Sequence, residues 1–405
     1  MARRRPGLAA ARKSVGLTQE MLDERMNVER STVQRWESGH ATPQAWCWPK
    51  LGNTLRLSRA TLIELLQEPP DQQHSAGPGF DSGTAPFTVL NADDRRHLAI
   101  ALTDARRYFD GSVVTYFRRK LTVCMADDGQ LGPKNVLPVV LGLLGAINKQ
   151  GREVTPGVRR ELLTVGALGA EFAGWLFRDS GDLAAAALWY SQATEWAQEA
   201  GDLPVQGYIL LRKSQMAYDS RQAVQMLTLA QSALDGPWRL PDRVKAEVTQ
   251  QEARGLAMVG EPVDLIKRKL DDARVLLARA EQTDAEPDEL GSGYDDSIWT
   301  LRSASCYIEA GQPRRAADLY NEVLTTNCLS RRDRGYLLAR QASALALAGE
   351  PDDSAVVGLR SIQLAEATNS TRTERELGRA LTALGPWISR PGPRELREAL
   401  SAQVI

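Results

Sequence analysis

The stretch Asn27–Gly39, N-V-E-R-S-T-V-Q-R-W-E-S-G, reads as a short helix that ends at a glycine. Its apolar residues Val33 and Trp36 are three apart and share one helix face. Ser31, Gln34 and Arg35 fall on the opposite face, within about 100° of one another. A narrow greasy foot and a polar back describe a helix seated by one side and offered to something by the other.

Toward the N-terminus, Leu8, Ala11 and Val15 give a first helix its apolar face, and Gly16 ends it. Thr18 is placed to cap a second helix that runs from Gln19 to Met26. Asn27 makes the turn, because Asn tolerates the left-handed conformation a tight turn needs. Val28 plugs the turn, and Val33 and Trp36 seat the third helix on the first two. This is the plan of a helix-turn-helix, whose third helix lies in the major groove of DNA. Gln34 suits a bidentate bond to adenine and Arg35 one to guanine. Arg30, Ser31 and Thr32, in the first turn, sit where base edges and phosphates come close.

The stretch from Gly16 to Gly39 resembles the phage-repressor (Cro/C1, xenobiotic-response-element) family at Gly16, Leu17, Thr18, Gln19, Leu22, Val28, Ser31, Thr32, Val33, Trp36, Glu37 and Gly39. The resemblance implies a five-helix domain over about 60 residues. Leu51, Leu55 and Leu57, then Ser58 capping a helix with Leu62, Leu65 and Leu66, would supply helices four and five. Trp46 and Trp48 read as packing around the start of helix four. The resemblance also implies that Gln19 contacts a phosphate or braces the reading helix, and that Arg12 pairs with Glu37. Asp23 stands where the family has a small residue, Asn27 where it has a turn glycine, and Glu29 where it has a capping serine.

The chain has 405 residues, 43% apolar and 25% charged, enough for two or three domains. The net charge of −1 hides an asymmetry. Residues 1–66 carry eleven Lys/Arg against six Asp/Glu, for +5; the rest carries 39 against 45, for −6. A basic head on an acidic body suits an anionic partner for the head. Arg3–Arg5 reads either as an irregular start or as an arm that grips phosphate or the minor groove.

The four cysteines, Cys47, Cys124, Cys306 and Cys328, form no C-x-x-C pair, and with three histidines there is no zinc spacing. Reduced cysteines and the lack of an apolar leader suggest a cytoplasmic protein. The longest apolar run, Val136–Ile147, is too short for a membrane span and reads as a buried helix. No cofactor is implied. Without paired carboxylates in one loop, a Ser-His-Asp set or a phosphate loop after a strand, the sequence gives no reason to expect an enzyme.

Residues 67–90 are rich in Pro, Gly, Ser and Asp and read as a flexible linker. Asn91 is placed to cap the next helix, with Asp93 and Asp94 in its first turn. From there the pattern is helical throughout, on the order of fifteen helices. It also repeats. Y-I-E-A-G-Q-P (Tyr307–Pro313), L-A-L-A-G-E-P (Leu345–Pro351), L-A-M-V-G-E-P (Leu256–Pro262) and, more loosely, F-R-D-S-G-D-L (Phe177–Leu183) are one turn written four times.

Seven residues before each turn glycine is a small residue: Gly174, Ala253, Ala304 and Ala342. After each turn runs a small or aliphatic residue, then one four on and one three on. The sets are Ala186, Tyr190, Ala193; Ile266, Leu270, Ala273; Ala316, Tyr320, Val323; and Ala355, Leu359, Ile362. A fifth set, Ala223, Leu227 and Ala230, follows a shortened turn with Ser214 as its small residue. Small residues let paired helices approach, and hairpins that cannot bury their own faces stack. Over roughly residues 160 to 370 this resembles a degenerate tetratricopeptide repeat, with a plain helical bundle as the alternative.

The sequence therefore predicts an all-α protein: a helix-turn-helix domain over 1–66, a linker over 67–90, and an α-solenoid of degenerate helix hairpins over 91–405 with sensory and dimerisation roles. The architecture is similar to peptide-sensing regulators of Gram-positive bacteria and, more closely in composition, to actinobacterial regulators with degenerate repeats. The expected function is sequence-specific binding of double-stranded DNA as a homodimer, under control of a peptide or small-molecule effector and with no membrane partner. The alternative is a repeat scaffold for proteins with a head that no longer reads DNA, which Asp23 and Glu29 would favour. Polar residues nine and six before the turn glycines would form an arginine-rich stripe inside the solenoid: Gln251 and Arg254, Arg302 and Ser305, Arg340 and Ser343, with Arg212 and Gln215 in the shortened copy. Such a stripe suits a carboxylate or a peptide backbone; an ordinary solvated face is the other reading.

Overall fold

The structure, a computed structural model, describes residues 6–26, 28, 30–38, 41, 43, 47–57, 61–62, 65–66, 92–282, 290–326 and 329–402. The expected linker, Arg3–Arg5, Asn27, Glu29, Trp46, Ser58, Asn91 and Cys328 lie outside the described residues. So do the side chains of Arg30, Asp93 and Asp94.

The head holds α1 (Pro6–Ser14), α2 (Gln19–Met26), α3 (Arg30–Ser38) and α4 (Trp48–Leu55). Gly16, at φ +72°, ends α1 in the left-handed region, where glycine pays no Cβ penalty. Thr18 caps α2 by accepting the Met21 amide at 3.1 Å. Leu8, Leu22, Met26, Val33, Trp36, Leu51, Leu55, Leu62 and Leu66 close one small core. Ala126 from the body joins that core, so the head rests against the body at this point.

The body opens with α5 (Ala92–Thr103), α6 (Ala105–Tyr108), α7 (Gly111–Leu131) and α8 (Pro133–Gln150). In α8, Val136, Val140, Leu144 and Ile147 are buried while Val139 is exposed, so the longest apolar run is a one-faced helix. No described helix is long and apolar enough to cross a membrane.

Hairpins follow. They pair α9 (Pro156–Asp179) with α10 (Leu183–Ala200), α11 (Leu203–Asp219) with α12 (Ala223–Asp235), and α13 (Asp242–Met258) with α14 (Val263–Gln282). Then come α15 (Asp296–Glu309) with α16 (Pro313–Thr326), and α17 (Arg331–Leu347) with α18 (Pro351–Thr368). α19 (Thr371–Ala383) and α20 (Pro391–Ser401) close the chain. The described residues form helices and turns and no strand. The protein is all-α, with a helix-turn-helix at its N-terminus and a helical-repeat body.

The repeat rule holds in space. A Cβ on Gly174 would lie 2.7 Å from the ring of Tyr190, so the small residue of α9 is the seat of the bulky residue of α10. Ser214 and Ser354 close their hairpins by donating across them, to the Met226 carbonyl at 2.7 Å and the Ala342 carbonyl at 2.8 Å. One expectation needs correcting. The α11–α12 turn is not shortened: Arg221, at φ +57°, takes the left-handed place that glycine holds at 181, 260, 311 and 349. Its amide bonds the Tyr218 carbonyl and the next amide bonds that of Ala217, as in the glycine turns. Counted from Arg221, the buried set of α12 is Met226, Ala230 and Ala233 rather than Ala223, Leu227 and Ala230. The sequence hid this because no side chain but glycine's advertises the conformation.

The solenoid also closes on itself. α7 packs against α17 and α18, and α9 against α19. At this seam Gly132 comes so close to the end of α18 that a Cβ would lie 1.9 Å from the Thr368 carbonyl oxygen. Ser370 donates to the buried Asp179 carboxylate at 2.9 Å, and burial, opposed by Arg372 and Ser370, pushes that carboxyl's pKa up. Arg340 bonds Tyr218 and Glu376, tying α17 to α11 and α19.

Candidate functional site

In the head, α3 is clamped from beneath. Arg12 Nε donates to Glu37 Oε1 at 2.5 Å, and its Nη1 donates to the Leu17 carbonyl at 2.6 Å. Gln19 Nε2 donates to Glu37 Oε2 at 2.6 Å. Of the two roles implied for Gln19, its amide takes the brace. Trp48 is buried and its indole N–H bonds the Pro43 carbonyl at 2.7 Å, a packing role.

With Val33 and Trp36 buried, the other side of α3 faces outward: Ser31 and Gln34 are exposed, and Thr32 and Arg35 half-buried. Arg30 opens the helix. These residue types at these positions can bond base edges and phosphates. Arg35 also lies 3.6 Å from Glu281 at the end of α14. Ser31, Thr32, Arg35 and Trp36, with Val28, Trp48 and other residues of the head, line one side of a cavity whose other walls belong to the body.

That cavity has a volume of about 1150 Å³ and occupies the centre of the ring. Every inner helix, α9, α11, α13, α15, α17 and α19, sends side chains into it. Arg212, Gln215, Arg254 and Arg302 of the candidate groove line it together. Gln251 and Arg340 lie beneath the lining instead. Gln251 donates to Ser214 at 3.3 Å, and Arg340 is 2% exposed.

The arginines are held by carboxylates from neighbouring hairpins: Arg212 by Glu171, Arg302 by Glu247, Arg178 by Asp219. Burial works against ionising Glu247, but the charges of Arg302 and Arg212 and the hydrogen bonds from Arg302 and Gln215 outweigh it and hold its pKa low. Guanidinium groups also ring two aromatic faces. Around Trp175 stand Arg178, Arg212, Arg332 and Arg372, the last at 4.4 Å from the ring centre. Around Tyr218 stand Arg221, Arg254, Arg340 and Arg379. Arg332 and Arg372 were not legible as lining residues. They come from the first turns of α17 and α19, away from the nine-and-six spacing.

A family model described as "Helix-turn-helix" matches residues 8–45, which span α1, the turn and α3. The N-terminal segment is thus a helix-turn-helix by its sequence as well as its shape. Among solved structures, the chain is similar to the crystal structure of Bacillus thuringiensis PlcR in complex with the peptide PapR7 and DNA. The identity is 12%, the match covers 90% of this chain and 95% of that one, and the TM-score is 0.29. No curated protein matches the chain.

Proposed function

We propose that this protein is a sequence-specific DNA-binding transcriptional regulator whose helical-repeat body senses an effector and pairs two copies. One observation carries the reading. α3 is fixed by Val33, Trp36 and the Arg12–Glu37–Gln19 clamp, and it turns Ser31 and Gln34 to solvent. A helix locked by one face, with hydrogen-bonding residues on the other, suits insertion in the major groove. The Helix-turn-helix match over the same residues supports it. Gln34 reads a base edge, Arg35 a base edge or phosphate, and Arg30, Ser31 and Thr32 set the helix on the backbone. The central cavity is where the effector binds, with Arg212, Gln215, Arg254 and Arg302 at its wall and Gln251 and Arg340 supporting them from below. A single short helix reads too few base pairs for specificity, so two heads act together.

Selection of fragments from a random duplex pool tests this. Wild type should enrich a motif with two half-sites, and Gln34→Ala/Arg35→Ala should enrich none. Binding should fall steeply with salt through counterion release. Identical enrichment by both proteins would remove α3 as the reading helix. A monomeric sedimentation mass at micromolar concentration would count against pairing.

A further inference from the structure

Nine arginines and seven carboxylates of the body line the central cavity. Arg178, Arg212, Arg302, Arg332 and Arg372 each have a carboxylate partner. Arg254 differs. It is 9% exposed and lines the cavity, yet among the described residues no carboxylate lies within ion-pair distance of it. Its Nε has no hydrogen-bond partner. Its Nη2 reaches the Arg302 carbonyl, at 3.5 Å, its side chain also bonds the Cys306 thiol, and its guanidinium lies 4.9 Å from the centre of the Tyr218 ring. A buried lysine can shed its proton; a guanidinium stays charged at any pH a protein meets. A charge taken out of water without a counter-charge is costly, and the described chain offers this one a thiol, a carbonyl and a ring face but no carboxylate within ion-pair distance.

We propose that Arg254 anchors the anionic group, a carboxylate or phosphate, of a small organic ligand held in the central cavity; this rests on the sensor reading above. Ser305 and Tyr336 line the same cavity with hydroxyls that can bond the anion. Leu168, Phe172, Leu301 and Leu337 give it apolar wall for the rest of the ligand. Its volume of about 1150 Å³, which includes the side lined by the head, is somewhat above the roughly 300–1,000 Å³ usual for small-molecule sites, so a ligand would fill part of it. The choice of a small molecule over an extended peptide follows from ring closure. With α7 packed against α17 and α18, the inner surface is a bounded chamber rather than a long open groove.

The test is thermal unfolding of the full chain with inorganic phosphate or succinate, at constant ionic strength against chloride. Wild type should show a saturable rise in Tm with at least one of the two anions. Arg254→Met should still unfold cooperatively without ligand and should lose the anion response. Arg254→Lys, which keeps the charge, should retain the response with an affinity weakened several-fold. Arg274→Gln, an exposed cavity-wall control, should respond as wild type. Equal responses in wild type and Arg254→Met, or none in wild type, would overturn the proposal. So would a response to trialanine but not its C-terminal amide, with none to phosphate or succinate, since the anion would then be a peptide end. The duplex selection is done without these anions, so failure here leaves the DNA-reading result standing and the reverse holds equally.

Discussion

Glu37 of α3 is the point where three helices of the head meet: it accepts from Arg12 of α1 at 2.5 Å and from Gln19 of α2 at 2.6 Å. The pair is 8% and 9% exposed at its side chains. Removing one member leaves the other charge buried, which typically costs about 3–5 kcal/mol. Arg12→Ala should therefore lower the stability of the head and weaken DNA binding without touching the reading face. Circular dichroism melts with the duplex assay check this; an unchanged melt would show that the clamp adds nothing.

Arg35 has two calls on it. It lies 3.6 Å from Glu281, and both side chains are partly exposed. Exposed pairs are worth up to about 1 kcal/mol. If Arg35 contacts DNA as proposed, Glu281 competes for the same guanidinium, and Glu281→Gln should tighten operator binding by about two- to five-fold. Fluorescence anisotropy on the selected operator reads this directly, and weaker binding would refute the competition.

Gly174 is set by contact rather than by backbone freedom. A Cβ there meets Tyr190 at 2.7 Å, and Tyr190 is fully buried. Gly174→Ala should cost about 1–3 kcal/mol through overpacking. Gly157→Ala, where a Cβ meets nothing within 4 Å, is the control. Urea unfolding that finds the two variants equal would remove close helix approach as the reason for the glycine.

These contacts show what the sequence makes legible. Helix pairing inside a hairpin is local and periodic, so the small residue at Gly174 and the bulky one at Tyr190 announce each other. The head is legible for the same reason: Val33 and Trp36 share a face within a single turn. Ring closure is not local. It joins Asp179 to Ser370 and Tyr218 to Arg340, pairs with no shared period. The odd state of Arg254 is hidden too. It stands six before its turn glycine, where later copies have Ser305 and Ser343, and only packing decides that Glu247 serves Arg302 and Glu376 serves Arg340 while no carboxylate reaches Arg254.

The tie between the end of α15 and the α11–α12 turn should weaken in acid through Glu309. Its carboxylate accepts from Arg221 at 2.8 and 2.7 Å and from Tyr218 at 3.0 Å. Burial alone would raise its pKa, but the bond to Arg221 and the charges of Arg340 and Arg221 outweigh that and hold it at about 2, against an ordinary 4.5. A folded pKa below the unfolded one means that the folded state prefers the ionised group. The stabilisation is complete above about pH 4.5 and is lost as pH falls through about 2. A depression of this size corresponds to about 3 kcal/mol. Glu309→Gln should therefore be less stable than wild type at pH 7 by about this amount, with the gap shrinking steadily as the pH drops below 4.5. Urea midpoints at a series of pH values measure the gap. A difference that stays constant from pH 7 into the acid range would assign the loss to packing and leave the Glu309 charge without a part in tying α15 to the α11–α12 turn.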